Sequence, residues 1–586
     1  MLLLEERKAL IHAALGHTPL DLLIQNVQVL DVYNGGVFPG AIGIFNGRIV
    51  STSAEGYRAR AVFDGQGMFA IPGLIDTHVH LDSTLVNPEN LSELIVPCGT
   101  TTVMADPKEI ANVAGMMGMK ALLQSQDRLP YHIFLEVSSR VPGSPGLETT
   151  GGVLGLQEVT DILHWEEAVS VGELDPDKIL NMMDIYMLKI EAGHKLGKIA
   201  NGHAAGLHGR DLTAYACGGL ADDHECISYA EAVERLKQGM AVLIREGSTE
   251  RNLANVMSGF IESGYYPPYL MFCTDDKHAD DIRAEGHINF MVNKAIQLGV
   301  PPIIAIQIAT INAARHFRVD QWVGSLTPGR SADILLVEKL ENIRPMEVFS
   351  RGQHVASHGI LRVEIPEPAY PRWLCNTVKV TRGKAAQDFI LPGEGESVLV
   401  RVIDLVPDQI INTCGVARLP VENGQVMAEP LQDVLKLAVV ERYGKNGNIG
   451  IGFVRGFGIK RGALASSVSH DNHNIVVVGT NDADMAFAVS AVEETQGGLV
   501  IVADGQLIER LPLPVGGLLS FKPVEEVISI LKDLVSKYQK LGGKLTSPFM
   551  ILSFTTLPTV PELGLTDMGL IDVETHQLIH PILEPN

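Results

Sequence analysis

Ile71-Pro-Gly-Leu-Ile-Asp-Thr-His-Val-His-Leu81 is the stretch on which the fold turns. On a β-strand, side chains at i and i+2 face the same way. An apolar strand that ends at His78 and His80 therefore carries two imidazoles on one face, spaced to share one cation. The pair alone fits equally well with two half-buried histidines at a strand exit. The two readings separate only if further ligand-type residues close later strands.

They do. Downstream of Gly73, short apolar runs alternate with helical stretches, which is the pattern of βα units and a parallel sheet. Eight strand-like runs follow one another. The first ends at His78 and His80, the second (99–106) at Asp106, and the third (131–137) contains Glu136. The fourth (168–173) ends at Glu173, the fifth (198–203) at His203 and the sixth (219–224) at His224. The seventh (240–244) runs into Arg245-Glu-Gly-Ser248, and the eighth (269–275) into Asp275 and Asp276. Between them, Ser228–Gly239 is the clearest helix, with a Ser cap and a Gly stop. Eight such units within residues 71–318 give the α/β class and a (β/α)8 barrel, whose chemistry lies at the carboxyl ends of its strands.

The flanks differ. After a short helical lead (1–20), β-type segments at 21–32, 41–50 and 61–64 precede the barrel, and 323–337 and 344–362 return to β character after it. Residues 1–70 and 319–366 are therefore expected to pair into a small β-sandwich. A proline-rich linker at 364–371 leads to a C-terminal α/β domain, 372–586.

Composition narrows the function. At 46% hydrophobic and 20% charged residues, the 586-residue chain is of ordinary globular type and long enough for several domains. A net charge of -23 disfavours nucleic-acid backbones and anionic membranes as partners. No apolar run is long enough to span a bilayer, and Met1-Leu-Leu-Leu-Glu-Glu-Arg-Lys8 lacks the form of a secretory signal. Six cysteines without CxxC spacing indicate neither a zinc knuckle nor a disulfide framework, so a cytoplasmic location is expected.

Taken singly, a strand-end His or Asp is more often a satisfied polar group or a helix cap. Six of them (His78, His80, Glu173, His203, His224, Asp275) on the reactive face of one barrel favour a metal centre. Four imidazoles and two carboxylates exceed the needs of one tetrahedral zinc and suit two bridged divalent cations. With no thiolate among them, the donors fit Mn2+, Fe2+ and Zn2+ alike.

The same residues carry a resemblance. The stretch 72–80, the late Gly-x-Leu-x-Pro-Gly-x-x-Ala-Asp-Ile (324–334) and the eighth-strand Asp resemble the amidohydrolase superfamily. The segments 99–110, 137–142, 244–248, 273–276 and 285–288, with 456–458, 467–478 and 511–518 in the last domain, resemble more narrowly the bacterial adenine deaminases. The resemblance spans nearly the whole chain. It implies hydrolytic deamination of adenine to hypoxanthine and ammonia, in purine salvage, by a hydroxide bound to a dinuclear metal centre.

By position, the resemblance implies that His78 and His80 bind one cation, His203 and His224 the other, and that Glu173 bridges them. Asp275 would touch metal and move protons, and Asp106 would be a further ligand or support. Glu246 is the candidate donor of a proton to ring N1. Arg245, Ser248, Asp276 and His470 are candidate contacts for a small-molecule purine base, and a homodimer is expected. Three loops depart from the family pattern: Leu81–Thr84, Leu174–Asp177 and Lys277–Ala279. An N6-substituted adenine or a cyclic amide remains an alternative substrate for the same centre, and a metal-binding protein without activity is the alternative outside catalysis.

Overall fold

A computed structural model describes residues 3–406, 411–559 and 562–583. Its centre is a ring of eight parallel strands: β1 (Leu74–Val79), β2 (Thr100–Ala105), β3 (His132–Val137), β4 (Ala168–Leu174), β5 (Ile199–Gly202), β6 (Asp222–Asp223), β7 (Ala241–Arg245) and β8 (Leu270–Cys273). Strands β1 to β5 pair in order, as do β6 to β8. The ring closes through a parallel bridge between Val79 and Asp275 and through Ala221 N–H donating to Ala200 O at 2.8 Å. Helices cover the ring, so its strands are buried on both faces and read as continuous apolar runs. Among the described residues, no helix is long and apolar enough to cross a membrane.

The two-residue β6 is the weakest stave and is held by side chains. Asp222 accepts from Asn201 Nδ2 at 2.8 Å and from Gly202 N–H at 2.9 Å, tying β6 to β5. Asp223 accepts from Arg235 Nε at 2.8 Å, and the same guanidinium donates to Leu207 O at 2.9 Å and Ala204 O at 2.7 Å. Arg235 comes from the helix Tyr229–Lys237, whose Ser228 cap accepts from Glu231 N–H at 3.3 Å. These bonds set the strand ends from which His203 and His224 project.

The β segments before and after the barrel pack around one shared core, with Phe63 from before it and Phe349 from after it at a ring-centroid distance of 5.2 Å. They join edge to edge into one nine-stranded sheet, in which Ile334–Lys339 pairs antiparallel with Phe69–Pro72 and places Ile334 opposite Pro72. Ile42, Ile44, Ile334, Leu336 and Phe349 pack on it. The linker 364–371 has no regular structure and lies against the barrel, with Tyr370 Oη donating to Glu89 Oε2 at 2.8 Å.

The last domain is built on a second nine-stranded sheet, with helices Asp482–Glu494, Val524–Lys540 and Pro548–Phe554. It shares one apolar core with the barrel: Leu85, Val86 and Ile110 join Leu513, Val515 and Leu518. The Pro/Gly loop 511–517 makes this contact. At Gly516, φ is +66°, a left-handed conformation that favours glycine, and a Cβ there would stand 2.5 Å from Ile110 Cδ1.

Replacing Arg235 with Met strands the buried Asp223 carboxylate. Such a loss costs about 3–5 kcal/mol, and chemical denaturation is expected to show a drop of that order. A change below about 1 kcal/mol, the range of ordinary surface substitutions, would remove Arg235 as the clamp of β6.

Candidate metal centre

The ligand-type residues at the strand ends converge on the floor of one cavity. His78, His80 and Glu173 form one group and Glu173, His203 and His224 another; within each, one ligand atom per residue lies within 4.8 Å of the others. Glu173 belongs to both. His203 Nδ1 and His224 Nε2 stand 3.1 and 3.2 Å from Glu173 Oε2, and His80 Nε2 is 3.9 Å from Oε1. Asp275 Oδ1 completes the floor, 3.8 Å from His78 Nε2 and 3.5 Å from His80 Nε2.

The outer ring nitrogens are held in place. His78 Nδ1 lies 2.5 Å from Glu136 Oε2. His80 Nδ1 lies 3.1 Å from Asp106 O and 3.3 Å from Glu109 Oε2. Acceptors at Nδ1 keep the proton there and leave the Nε2 lone pair aimed inward, as a metal ligand requires. Buried His78 Nε2 has no hydrogen-bond partner among the described residues, and a cation would satisfy it. The donors present therefore fit a pair of divalent cations.

Cationic side chains gather around the carboxylates of the floor. Lys108 Nζ is 2.7 Å from Glu173 Oε1, and Arg140 also pairs with that oxygen. Burial would raise the Glu173 carboxyl, but Arg140, Lys108 and the two histidines outweigh it and hold it well below the usual range. Arg245 is 2.6 Å from Glu225 Oε1 and 3.0 Å from Asp275 Oδ2. Burial likewise opposes ionisation of Asp275, and Arg245 with His224, His78 and His80 overcomes it. Asp275 is thus a carboxylate at neutral pH and free to accept a proton.

The roof comes from the last domain. His470, Asp471, Phe554, Leu557 and Thr559 line the cavity. Asp471 lies 3.3 Å from Lys108 and 3.8 Å from Arg140, so it completes the same ion network. The His470 ring stacks on Phe554 with centroids 5.5 Å apart. Glu109, His470 and His473 also form a group of ligand type. Ser469 N–H donates to His473 Nδ1 at 3.2 Å, while His473 Nε2 and His470 Nδ1 have no hydrogen-bond partner among the described residues.

Arg245, Asp276 and His470 lie where the sequence put them, at the cavity. Three expectations need correction. Glu246 does not reach the cavity: Arg245 points inward, and the next residue of the strand points away. Its carboxylate pairs with Lys294 and caps Leu253 N–H at 3.2 Å. Ser248 turns toward Asp281 Oδ2 at 2.5 Å, outside the cavity. The Asp106 side chain is in neither ligand group and accepts from Ser138 Oγ at 2.5 Å; it supports His80 through its backbone carbonyl.

Lys108, Glu109, Arg140, Glu225, Glu250, Asp471 and Phe554 were not singled out from sequence, and Glu136 was noted there without a role. Glu225 follows His224 directly, and Lys108, Glu109 and Arg140 fall inside the quoted segments, so position was the available signal. The departing loops are partnered too: Ser83 donates to Asp276, and Asp175 pairs with Arg140.

Residues 69–360 match the model of the amidohydrolase family, and 409–577 match the adenine deaminase C-terminal domain. The chain is similar to the adenine deaminase of Desulforamulus reducens, 53% identical over 576 residues and 98% of each chain. It is 39% identical over 573 residues to that of Dehalococcoides mccartyi, covering 97% of this chain and 98% of the relative. The adenine deaminase of Methanothrix thermoacetophila is 40% identical over 567 residues, 96% of this chain and 97% of the relative. Barrel and ligand groups together define the amidohydrolase class of metal-dependent hydrolases. Within that class, the chain belongs to the adenine deaminase family.

Asp471→Ala leaves Lys108 and Arg140 short of one counter-charge beside Glu173. Misplacement near 1 Å costs roughly a hundredfold, and kcat/KM is expected to fall by that order with metal content unchanged. Steady-state kinetics at wild-type values would separate the roof from catalysis.

Proposed function

We infer that this protein deaminates adenine hydrolytically to hypoxanthine and ammonia. The observation that carries the reading is the pair of histidine groups sharing Glu173 at the floor of a cavity whose roof is a domain of adenine deaminase type. His78 and His80 would hold one divalent cation, His203 and His224 the second, with Glu173 common to both. Manganese, ferrous iron and zinc all suit these donors. When bound, such a pair acidifies water enough to supply hydroxide at neutral pH.

The chain's own residues do the rest. Asp275, ionised and beside both histidine groups, accepts the proton released as water adds to C6. It then delivers that proton to the exocyclic amine, so that nitrogen leaves as ammonia and not as amide ion. Arg245 is a positioning residue: it holds Asp275 through Oδ2 and leaves Oδ1 toward His78 and His80. His470 and Phe554 offer a stacked aromatic wall for a flat base.

Purine salvage in the cytoplasm belongs to the same proposal; the six cysteines, all unpaired, are in keeping with a reducing compartment. A homodimer does too, in keeping with the apolar Leu4, Ile11 and Leu15 exposed at the N-terminal helix.

Purified protein loaded with manganese is expected to release ammonia from adenine, and chelation is expected to stop it. Asp275→Ala should lower kcat by about a thousandfold or more, within the usual reach of proton-transfer catalysis. A protein that holds two cations and releases no ammonia would overturn adenine as the substrate.

A further inference from the structure

Attack at C6 makes that carbon tetrahedral, and ring nitrogen N1 must then take a proton. Asp275 cannot give it, because the proton it takes from water goes to the amine. A second proton donor facing the same cavity is required. With Glu246 turned away, the cavity's other carboxylates can be sorted by their partners. Glu109 pairs with His80, Glu173 with Lys108 and Arg140, Glu225 and Asp275 with Arg245, Asp276 with His470 at 3.8 Å, and Asp471 with Lys108. Glu250 alone among them makes no ion pair among the described residues; its Oε2 accepts from Thr249 Oγ1 at 2.6 Å, and Oε1 has no hydrogen bond.

Backbone hydrogen bonds tie down the turn that carries Glu250. Gly247 N–H donates to Glu250 O at 3.0 Å, Glu246 bridges to Arg251, and Ser248 N–H donates to Asp276 O at 2.9 Å. A Cβ on Gly247 would stand 2.6 Å from Asp276 O, so glycine permits the turn to lie directly on the loop after β8. This folds Glu250 back over the strand end from which Arg245 projects, beside Asp275 and Asp276.

We propose that Glu250 is the general acid that protonates N1 of the base as water adds to C6. The proposal rests on the adenine deaminase reading. The Glu250 O–H bond breaks and an N1–H bond forms, while the first proton of water passes to Asp275. Asp275 hands that proton to the amine, the C6–N bond breaks, and ammonia departs. The proton of the new C6 hydroxyl returns to Glu250 as the carbonyl forms, so hypoxanthine keeps its N1–H and both carboxyls are restored. N1 and the C6 oxygen are neighbours, so one carboxyl serves both transfers.

The electrostatics agree. Burial, opposed by Arg245 and Thr249 and reinforced by Asp276 and Asp275, raises the Glu250 carboxyl to about 7. The cavity's other charged or titratable groups are Glu225 and His470, the ligand-type residues His80, Glu173, His203 and His224, and Lys108, Glu109, Arg140 and Asp471. An acid and a base whose pKa values are driven apart in one cavity form the pair that proton-shuttling catalysis needs. Because the protonated form is the active one, activity is present below that pKa and lost as pH rises through it.

The test compares wild-type, Glu250→Gln and Glu250→Asp proteins, each loaded with manganese and turning over adenine. Glu250→Gln is expected to lower kcat about a hundredfold or more, with KM within about threefold and with wild-type metal content and melting temperature. Wild type is expected to lose kcat above about pH 7, Glu250→Asp to keep that limb at reduced rate, and Glu250→Gln to lack it. Wild-type turnover with a Glu250→Gln kcat within about threefold, or with the alkaline limb intact, overturns the role of Glu250 alone. A wild-type protein that releases no ammonia from adenine overturns the deaminase reading, and this role with it.

Discussion

Glu173 sits at 1% exposure with Lys108 and Arg140 on one oxygen and His203 and His224 on the other. A buried carboxylate is costly unless each lone pair is met, so the geometry around it is constrained from all sides. The network it anchors is deliberately unbalanced. Lys108 and Arg140 face Glu173, Asp175 and Asp471, two cations against three anions; Arg245 faces Glu225 and Asp275, one against two. The excess negative charge is concentrated where four imidazoles converge. Such a site gains by accepting divalent cations, which would relieve the repulsion and satisfy the orphaned Nε2 of His78.

The same network explains why the last domain is part of the catalytic unit. Asp471 is one of the three anions and belongs to the loop 469–474, far along the chain from the barrel. Asn474 Nδ2 donates to Thr149 O at 2.9 Å, and Thr149 Oγ1 donates to Asp567 Oδ2 at 2.7 Å, so the loop is fastened on the barrel side as well as its own. With Leu513, Val515 and Leu518 in the barrel's own apolar core, roof and floor cannot separate without exposing a hydrophobic seam. Water exclusion over the floor strengthens the Arg245–Asp275 and Lys108–Glu173 pairs.

Most of the catalytic floor was legible because a parallel barrel presents strand ends in chain order. His78, His80, Glu173, His203, His224 and Asp275 each close a strand, and period-two alternation fixes which way they point. Legibility failed where the chain leaves the strand. After Arg245 it enters a tight turn; alternation turns Glu246 away from the cavity but cannot say that Glu250 returns to it. Asp106 lost its ligand role to a hydrogen bond with Ser138, a partner on a different strand. The β character of the two flanks was legible, but the edge-to-edge pairing of Phe69–Pro72 with Ile334–Lys339 was not, because it is a long-range choice that local pattern does not encode. Of the roof, His470 was legible and Phe554 was not, because the two rings meet only through tertiary packing.

If Glu173 joins two cation sites into one catalytic centre, returning manganese stepwise to the chelated protein, while following ammonia release from adenine, is the direct test. Activity is expected to rise to a break at about two equivalents of metal per chain, the count a bridged pair requires. A break at one equivalent, with full activity, would contradict it.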